Sequence, residues 1–211
     1  MRKKKILLID NYDSFTQNLS HLLTDAGGKV TIVRNDANFL PGLEAGKYDS
    51  VVIGPGPGSP DDLHYFGKNH EVITRFGTSG LPVFGVCLGF QGIAHAFGAR
   101  LKRATVPVHG KTSELDIVYR DEIMHSNIPQ NVEVMRYHSL MIDPDSMSTS
   151  PLIPTSEVKR DAESVAINGP EIMSLRHSEH PIYGVQFHPE SFVSELGLVM
   201  VRNFLEVSGK A

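Results

Sequence analysis

The sequence predicts an α/β fold: a mostly parallel central sheet with helices on both faces, and a smaller antiparallel, strand-rich portion in the second half. In the first half, short continuous apolar runs alternate with segments of helical periodicity, the order typical of a covered parallel sheet. In the second half, strand patterns follow one another with few helix signals. A length of 211 residues with 40% hydrophobic content suits one domain, which we expect to span residues 1–211.

The first element is a buried strand, "KILLID", which ends in the polar residue Asp10. Ser14 and Gln17 then have the spacing of a capping box, and apolar residues recur at helical spacing after them. Gly27 and Gly28 are expected to end this helix. The chain therefore opens with a strand–helix unit.

Three more strands are predicted in the first half, "KVTIVRN", "YDSVVIG" and "LPVFGV". A weaker helix precedes the last of them, and a helix from about Gln91 follows it. The segment Asp10 to Ser14, the loop "PGPGSPDD" and Cys87 each follow a predicted strand. Because the carboxyl ends of parallel strands meet at one edge, and ligands bind outside that edge, we expect these three places to lie together.

The second half contains five predicted strands and a closing helix with Leu196, Met200, Phe204 and Val207 along one face. The strands are "SELDIVYR", "NVEVMRYHSLMID", "ESVAI", "EIMSLRH" and "PIYGVQF". Residues 144–161 are rich in Ser, Pro and Thr, a composition that predicts an exposed loop.

Composition excludes several classes of protein. The formal net charge of −4 argues against a general nucleic-acid binder. No apolar run is long enough to span a membrane, and "ILLI" is too short for a signal-peptide core. A single cysteine cannot form an internal disulfide. We therefore expect a cytoplasmic protein without nucleic-acid or membrane partners.

Cys87 is the first candidate for chemistry. In "GVCLG" it stands at a strand-to-helix junction between Gly85 and Gly89, as the nucleophile of an elbow turn does. A helix N-terminus near the sulfur favours the thiolate. The alternative is a buried cysteine that acts only as a small apolar side chain.

A nucleophilic cysteine needs a base, and the base needs an orienting group. Among ten histidines, His188 in "GVQFHPES" is the best candidate, because it ends an apolar strand and Glu190 lies two positions on. In extended backbone these two side chains face the same way. Alone, the tripeptide His188–Pro189–Glu190 is only weak evidence for a catalytic pair.

Acyl transfer also needs donors for the developing oxyanion. The glycines Gly56 and Gly58 of "GPGPGSP" leave room for a substrate, and the loop can supply a backbone N–H. The amide of Leu88, directly after Cys87, is the expected second donor. Standing alone, "PGPG" is better explained as a simple tight turn.

Together, "GVCLGFQ", "PGPGSP", "RYHSL" and "GVQFHPES" resemble the class I, triad-type glutamine amidotransferases over nearly the full chain. The resemblance implies that Cys87 attacks the side-chain amide of L-glutamine, that His188 transfers the proton and that Glu190 orients His188. Ammonia leaves, and water hydrolyses the resulting thioester. No cofactor or metal is expected in this site.

The same resemblance assigns substrate contacts. It places Leu88 in the oxyanion hole and has the remaining residues bind glutamine, with the "YHSL" pair acting through backbone groups. The implied glutamine-binding residues are Gly56, Pro57, Gly58, Gln91, Ser139 and Leu140. One departure is Phe90, where the family commonly has histidine, and a change of packing is expected there.

Within the family, "LLIDNYDSFTQNL" and "HGKTS" resemble the subunits that serve chorismate-using synthases. The resemblance implies a separate chorismate-binding partner subunit, to which any Mg²⁺ requirement would belong. Anthranilate synthase, in tryptophan biosynthesis, is the favoured assignment. Aminodeoxychorismate synthase, in folate biosynthesis, is the alternative.

Two other functions are compatible with parts of the sequence. An elbow-cysteine hydrolase or chaperone would act without a partner and would not need Gln91, Ser139 and Leu140. A receiver-like binding module is suggested by Asp10 and Asp13, since carboxylates after the first strand can hold Mg²⁺. Asp13 and Ser14 also suit a helix start, and capping is the commoner role of such residues.

Overall fold

The computed structural model describes residues 2–120, 122–194 and 196–207. Within these ranges, nine strands form one sheet in the order β2-β1-β3-β4-β9-β8-β7-β5-β6. The strands are β1 (Lys4–Asp10), β2 (Gly28–Arg34), β3 (Ser50–Ile53), β4 (Val83–Val86), β5 (Leu101–Ile117), β6 (Glu133–Ile142), β7 (Leu152–Val158), β8 (Ile172–His177) and β9 (Ile182–Val185). The helices are α1 (Thr16–Asp25), α2 (Leu40–Glu44), α3 (Leu63–Phe66), α4 (Asn69–Glu71), α5 (Leu88–Ala96), α6 (Glu163–Asn168) and α7 (Gly197–Val207).

The first five strands of that order run parallel, and the other pairings are antiparallel. The predicted fold class, a mostly parallel sheet followed by an antiparallel portion, is therefore confirmed. Parallel strands must be covered on both faces, and β1 shows how its sequence meets this requirement. Ile6 and Leu8 belong to one buried apolar cluster, whereas Leu7 and Ile9 belong to another. Successive strand side chains point to opposite faces, so a continuous apolar run supplies two cores.

Helices supply the other half of each core. Leu19 and Leu23 of α1 and Phe204 of α7 pack into the cluster that contains Ile6. Ile93 of α5 packs into the opposite cluster. The predicted face of the closing helix is confirmed at Met200 and Phe204, which are fully or almost fully buried.

Two predictions for the second half are wrong. "ESVAI" forms helix α6 and not a strand. Residues 144–161 form a 3₁₀ segment, Pro144–Thr149, and strand β7, which pairs with both β8 and β5 inside the sheet. The Ser- and Thr-rich composition was misleading because Thr155 and Ser156 are buried and their hydroxyls bond to Ser174.

Helix boundaries in the first half also differ from expectation. Helix α1 begins at Thr16 without a side-chain cap, so the capping box predicted at Ser14 and Gln17 does not form. The weak helix after residue 63 is broken at Gly67, which has φ +58°, and continues as α4 and a π-helical turn, Val72–Gly77. Helix α5 begins at Leu88, three positions before the predicted start.

Within the described ranges, no helix is long and apolar enough to cross a membrane.

Candidate active site

Cys87 occupies a strained turn between β4 and α5. Its φ of +52° and ψ of −100° lie in a region that non-glycine residues rarely adopt. The neighbouring glycines make the turn possible. A Cβ atom on Gly85 would lie 2.5 Å from the carbonyl of Gly89, and one on Gly89 would lie 2.3 Å from the Ile53 carbonyl oxygen. The elbow predicted from "GVCLG" is present.

The pairing of β4 with β9 brings Cys87 toward the predicted base. Val86 is in register with Val185, and the Cys87 amide donates to the Val185 carbonyl at 2.8 Å. The residues after β9 therefore pass directly beside the elbow. His188 lies three positions beyond the end of β9, at the same edge of the sheet as Cys87.

His188 and Glu190 form a buried pair. His188 Nδ1 lies 2.6 Å from Glu190 Oε1, and their side chains are 4% and 0% exposed. Burial acts to lower the pKa of His188, but the neighbouring Cys87 sulfur and the Glu190 carboxylate outweigh it and raise the pKa to about 10. Nε2 of His188 is buried, and none of the residues that the structure describes forms a hydrogen bond to it. The imidazole thus presents a free nitrogen on the side away from the carboxylate.

The backbone of His188 is held in place from β6. Its amide donates to the Met135 carbonyl at 3.0 Å. Ser194 Oγ donates to the His188 carbonyl at 2.6 Å and accepts from the Met135 amide at 3.1 Å. Phe15 and Tyr137 pack their rings against the imidazole, with centroid separations of 5.8 and 5.5 Å. Sequence reasoning missed these supports, which come from three separate segments.

A cavity of about 180 Å³ opens beside the sulfur. It is lined by Gly56, Pro57, Gly58, Cys87, Gln91, His109, Tyr137, His138, Ser139 and Leu140. All of the implied glutamine-binding residues line this cavity, together with Cys87. Leu88 directly follows Cys87 as the first residue of α5, where a backbone N–H has no acceptor within the helix.

The "PGPG" loop is fixed by a buried asparagine. Asn11 Nδ2 donates to the Gly54 carbonyl at 2.8 Å, and its Oδ1 accepts from Asn35 and Asn69. A Cβ on Gly56 would lie 2.5 Å from the Asn11 Cβ, so only glycine fits this close approach. Asn11 was not identified from the sequence, although it directly follows the first strand.

Two glutamines connect the sulfur with the far wall of the cavity. Gln186 Nε2 lies 3.6 Å from Cys87 Sγ, and Gln186 Oε1 accepts from Gln91 Nε2 at 2.9 Å. Gln91 Nε2 also donates to the Leu140 carbonyl at 3.2 Å. Gln186 was missed, although its place two positions before His188 puts both side chains on one side of an extended segment. Phe90, the departure from the family pattern, is fully buried and packs beside Gly184.

The aspartates that suggested a receiver-like module are engaged in local structure. Asp10 Oδ1 accepts from the Asp13 amide and from the Thr16 hydroxyl, at 3.1 and 2.8 Å. Asp13 Oδ1 accepts from the Phe15 amide at 2.8 Å. In the part of the chain that the structure describes, no group of three or more His, Cys, Asp or Glu side chains could hold a metal ion.

Comparison with known proteins agrees with this geometry. Residues 7–207 match the family model described as glutamine amidotransferase class-I. The chain is 38% identical to anthranilate synthase component 2 of Saccharolobus solfataricus, over 94% of this chain and 96% of the relative. It is 40% identical to aminodeoxychorismate/anthranilate synthase component 2 of Bacillus subtilis, over 97% of each chain. It is 41% identical to aminodeoxychorismate synthase component 2 of Escherichia coli K12, over 95% of this chain and 98% of the relative. The chain belongs to the class-I glutamine amidotransferase family of enzymes.

Proposed function

We propose that this chain is the glutaminase subunit of a chorismate-using synthase, with Cys87 as nucleophile, His188 as general acid and base, and Glu190 as the group that orients His188. The observation that carries the proposal is that Cys87, which lines the cavity, lies beside the buried His188–Glu190 pair. The buried carboxylate accepts from Nδ1, so Nε2 is the nitrogen left to exchange a proton with the sulfur or the substrate.

The first half-reaction breaks the C–N bond of the glutamine side chain. An imidazolium beside the sulfur favours the thiolate, and a His188 pKa of about 10 keeps the imidazole protonated at neutral pH. The Cys87 thiolate attacks the amide carbon. His188 Nε2 then donates its proton to the departing nitrogen, so ammonia leaves and a glutamyl thioester remains.

The second half-reaction releases glutamate. His188, now neutral, removes a proton from water, and the resulting hydroxide attacks the thioester carbon. The C–S bond breaks, and the sulfur regains its thiolate form beside the re-protonated imidazole. Glu190 stays ionised and stabilises the imidazolium in both half-reactions.

The oxyanion of each tetrahedral intermediate needs backbone donors near the sulfur. We assign these to Leu88, at the start of α5, and to the Gly56–Gly58 loop. The macrodipole of α5 adds partial positive charge at the same place. The cavity wall formed by Gln91, Ser139 and Leu140 is assigned to the amino-acid end of glutamine.

The partner is proposed from the named relatives. Each of them is a component 2, and this chain covers at least 96% of each relative's length. This supports a role as one component of a larger synthase that receives the ammonia. It also supports a single amidotransferase domain spanning residues 1–211.

Anthranilate remains the first proposed product, with aminodeoxychorismate as the second. Identities of 38–41% to relatives named for either product, or for both, do not separate them. The partner subunit, and not the glutaminase site, decides which product forms. Any Mg²⁺ requirement is assigned to that partner.

The test combines a variant with a partner. Glutamate release should be low for the free chain, should rise when a synthase subunit and chorismate are added, and should be abolished in Cys87→Ser. An electrophilic glutamine analogue should alkylate Cys87, and free glutamine should protect it. Unchanged turnover in Cys87→Ser would refute the assignment, and hydrolysis of esters or peptides with indifference to glutamine would favour a stand-alone hydrolase. Product identification with each synthase subunit decides between the two pathways.

A further inference from the structure

A buried polar chain starts behind the glutamine cavity and ends at the sulfur. Arg136, on β6, is fully buried and pairs with the fully buried Glu171. Its Nε donates to His138 Nε2 at 3.1 Å. His138 Nδ1 lies 3.0 Å from the Leu140 carbonyl oxygen. From the Leu140 carbonyl, the series of hydrogen bonds continues through Gln91 and Gln186 to Cys87.

The direction of each hydrogen bond around His138 follows from the Arg136 guanidinium, which donates the first of them. A guanidinium has only donors, so His138 Nε2 must accept and cannot carry a proton. Nδ1 then carries the single proton of the neutral ring and donates it to the Leu140 carbonyl. That carbonyl oxygen accepts from two donors, His138 Nδ1 and Gln91 Nε2.

The surroundings keep His138 neutral. Burial is the main cause that lowers its pKa, to about 3, and the charge of Arg136 lowers it further. His138 lines the cavity but is 3% exposed. Nothing in this arrangement requires His138 to exchange a proton.

We infer that Arg136 and His138 are positioning residues for glutamine binding: Arg136 fixes the tautomer of His138, and His138 Nδ1–H holds the Leu140 carbonyl and, with it, the Gln91 amide. The inference rests on the proposed function, because it assigns a role in the same substrate site. It differs from the resemblance-based assignment of Leu140 in one respect. With both acceptor positions of its carbonyl filled, Leu140 can offer glutamine its N–H but not its oxygen.

Two substitutions of His138 by an amide side chain distinguish the role of Nδ1 from the role of Nε2. In His138→Asn, the amide nitrogen can take the place of Nδ1 and donate to Leu140. In His138→Gln, the carbonyl can take the place of Nε2 and accept from Arg136, but no donor remains at the Nδ1 position. We expect KM for glutamine to stay near the wild-type value in His138→Asn. In His138→Gln it should rise about tenfold, the worth of one buried hydrogen bond, with kcat nearly unchanged.

Arg136→Lys tests the Arg136 end of this hydrogen-bonded series. Lysine keeps a positive charge for Glu171 but lacks the Nε–H that faces His138, so KM should rise as in His138→Gln. Val201→Ala, a remote core substitution in α7, controls for general loss of stability. If Arg136→Lys does not fold, the pair of His138 variants still decides the question.

A tautomer measurement does not depend on activity. Nitrogen-15 NMR of the wild-type protein at neutral pH should show His138 with a protonated Nδ1 and an unprotonated Nε2. A proton on Nε2 would overturn the inference, as would an unchanged KM in both His138 variants. An equal rise in both would also overturn it, because His138 would then contact glutamine directly. Absence of glutamine hydrolysis from the wild-type protein would instead count against the proposed function.

Discussion

Glu190 Oε1 lies 2.6 Å from His188 Nδ1, and the carboxylate side chain is fully buried. Burying a carboxylate is costly unless it is paired, and among the described residues Oε1 has a hydrogen-bond partner whereas Oε2 has none. Local backbone geometry explains the pairing, because Pro189 between the two residues biases His188 toward extended conformation. The imidazole orientation is therefore set before any substrate arrives.

Glu190→Gln should lower kcat for glutamine hydrolysis by roughly 10²- to 10⁴-fold, because a neutral amide does not stabilise the imidazolium and can enforce the wrong tautomer. Steady-state glutamate release measures the change. Glu44→Gln, which removes a half-exposed carboxylate paired with Arg75, is the matched control and should retain full activity. A Glu190→Gln enzyme of near wild-type turnover would remove Glu190 from the mechanism.

The folded protein should lose stability as the pH rises from about 6.5 to about 10. The pKa of His188 is raised from 6.5 to about 10 in the folded state, so the folded chain binds the His188 proton more tightly than the unfolded chain does. The resulting stabilisation is fully present below pH 6.5. It disappears as His188 loses its proton near pH 10.

Cys87→Ala removes the part of this stabilisation that the sulfur supplies, because Cys87 is one of the groups that raise the His188 pKa. Urea unfolding at a series of pH values should show a shallower decline for this variant than for the wild type. Parallel curves for the two proteins would mean that the sulfur does not stabilise the imidazolium.

Ser194→Ala should destabilise the fold by about 1–2 kcal/mol, because it leaves the buried Met135 amide without its hydroxyl acceptor. It should also lower kcat, since Ser194 Oγ donates to the His188 carbonyl at 2.6 Å. Chemical denaturation and glutaminase assays measure the two effects. Ser148→Ala, at an exposed position, should change neither quantity, and equal behaviour of the two variants would show that this clamp is dispensable.

Gly85→Ala should prevent formation of the elbow. The added Cβ would lie 2.5 Å from backbone atoms of Gly89, which have no room to withdraw because Gly89 itself contacts β3. Overpacking of this kind costs about 1–3 kcal/mol or more, and the expected result is low soluble yield or an inactive enzyme. In Gly42→Ala, in helix α2, the added Cβ would lie 3.3 Å from a side-chain atom of Tyr48 and 3.8 Å from one of Lys47, so this variant should fold normally. A fully active Gly85→Ala enzyme is incompatible with the elbow described above.

Local sequence signals predicted the parts of the fold that local physics determines. "KILLID" is apolar at every position that burial on both faces of the sheet requires. Gly85 and Gly89 indicate a close approach of backbone segments at the turn. The strand prediction for "ESVAI" was wrong because the periodicity of a short apolar run does not distinguish a strand from a helix. The loop prediction for the β7 segment was wrong because its polar side chains find their partners in other segments: Thr155 Oγ1, for example, bonds to Ser174 Oγ on β8 at 2.7 Å.

In the candidate site, too, some residues could be identified from local sequence and others could not. Cys87, His188 and Glu190 stand in short segments whose spacing carries chemical meaning. Gln186 and Asn11 do not, because their roles depend on which strands are neighbours in the sheet. The pairing of β4 with β9 joins segments about a hundred positions apart in the chain, and that pairing is a tertiary property.

The most direct test of the account is rapid acid quenching of the enzyme during glutamine turnover, followed by mass spectrometry of the peptide that contains Cys87. A glutamyl adduct on the Cys87 sulfur, formed before glutamate is released and absent from Cys87→Ala, is the predicted result. Continued turnover by Cys87→Ala, with no adduct on the wild-type sulfur at any quench time, would contradict it.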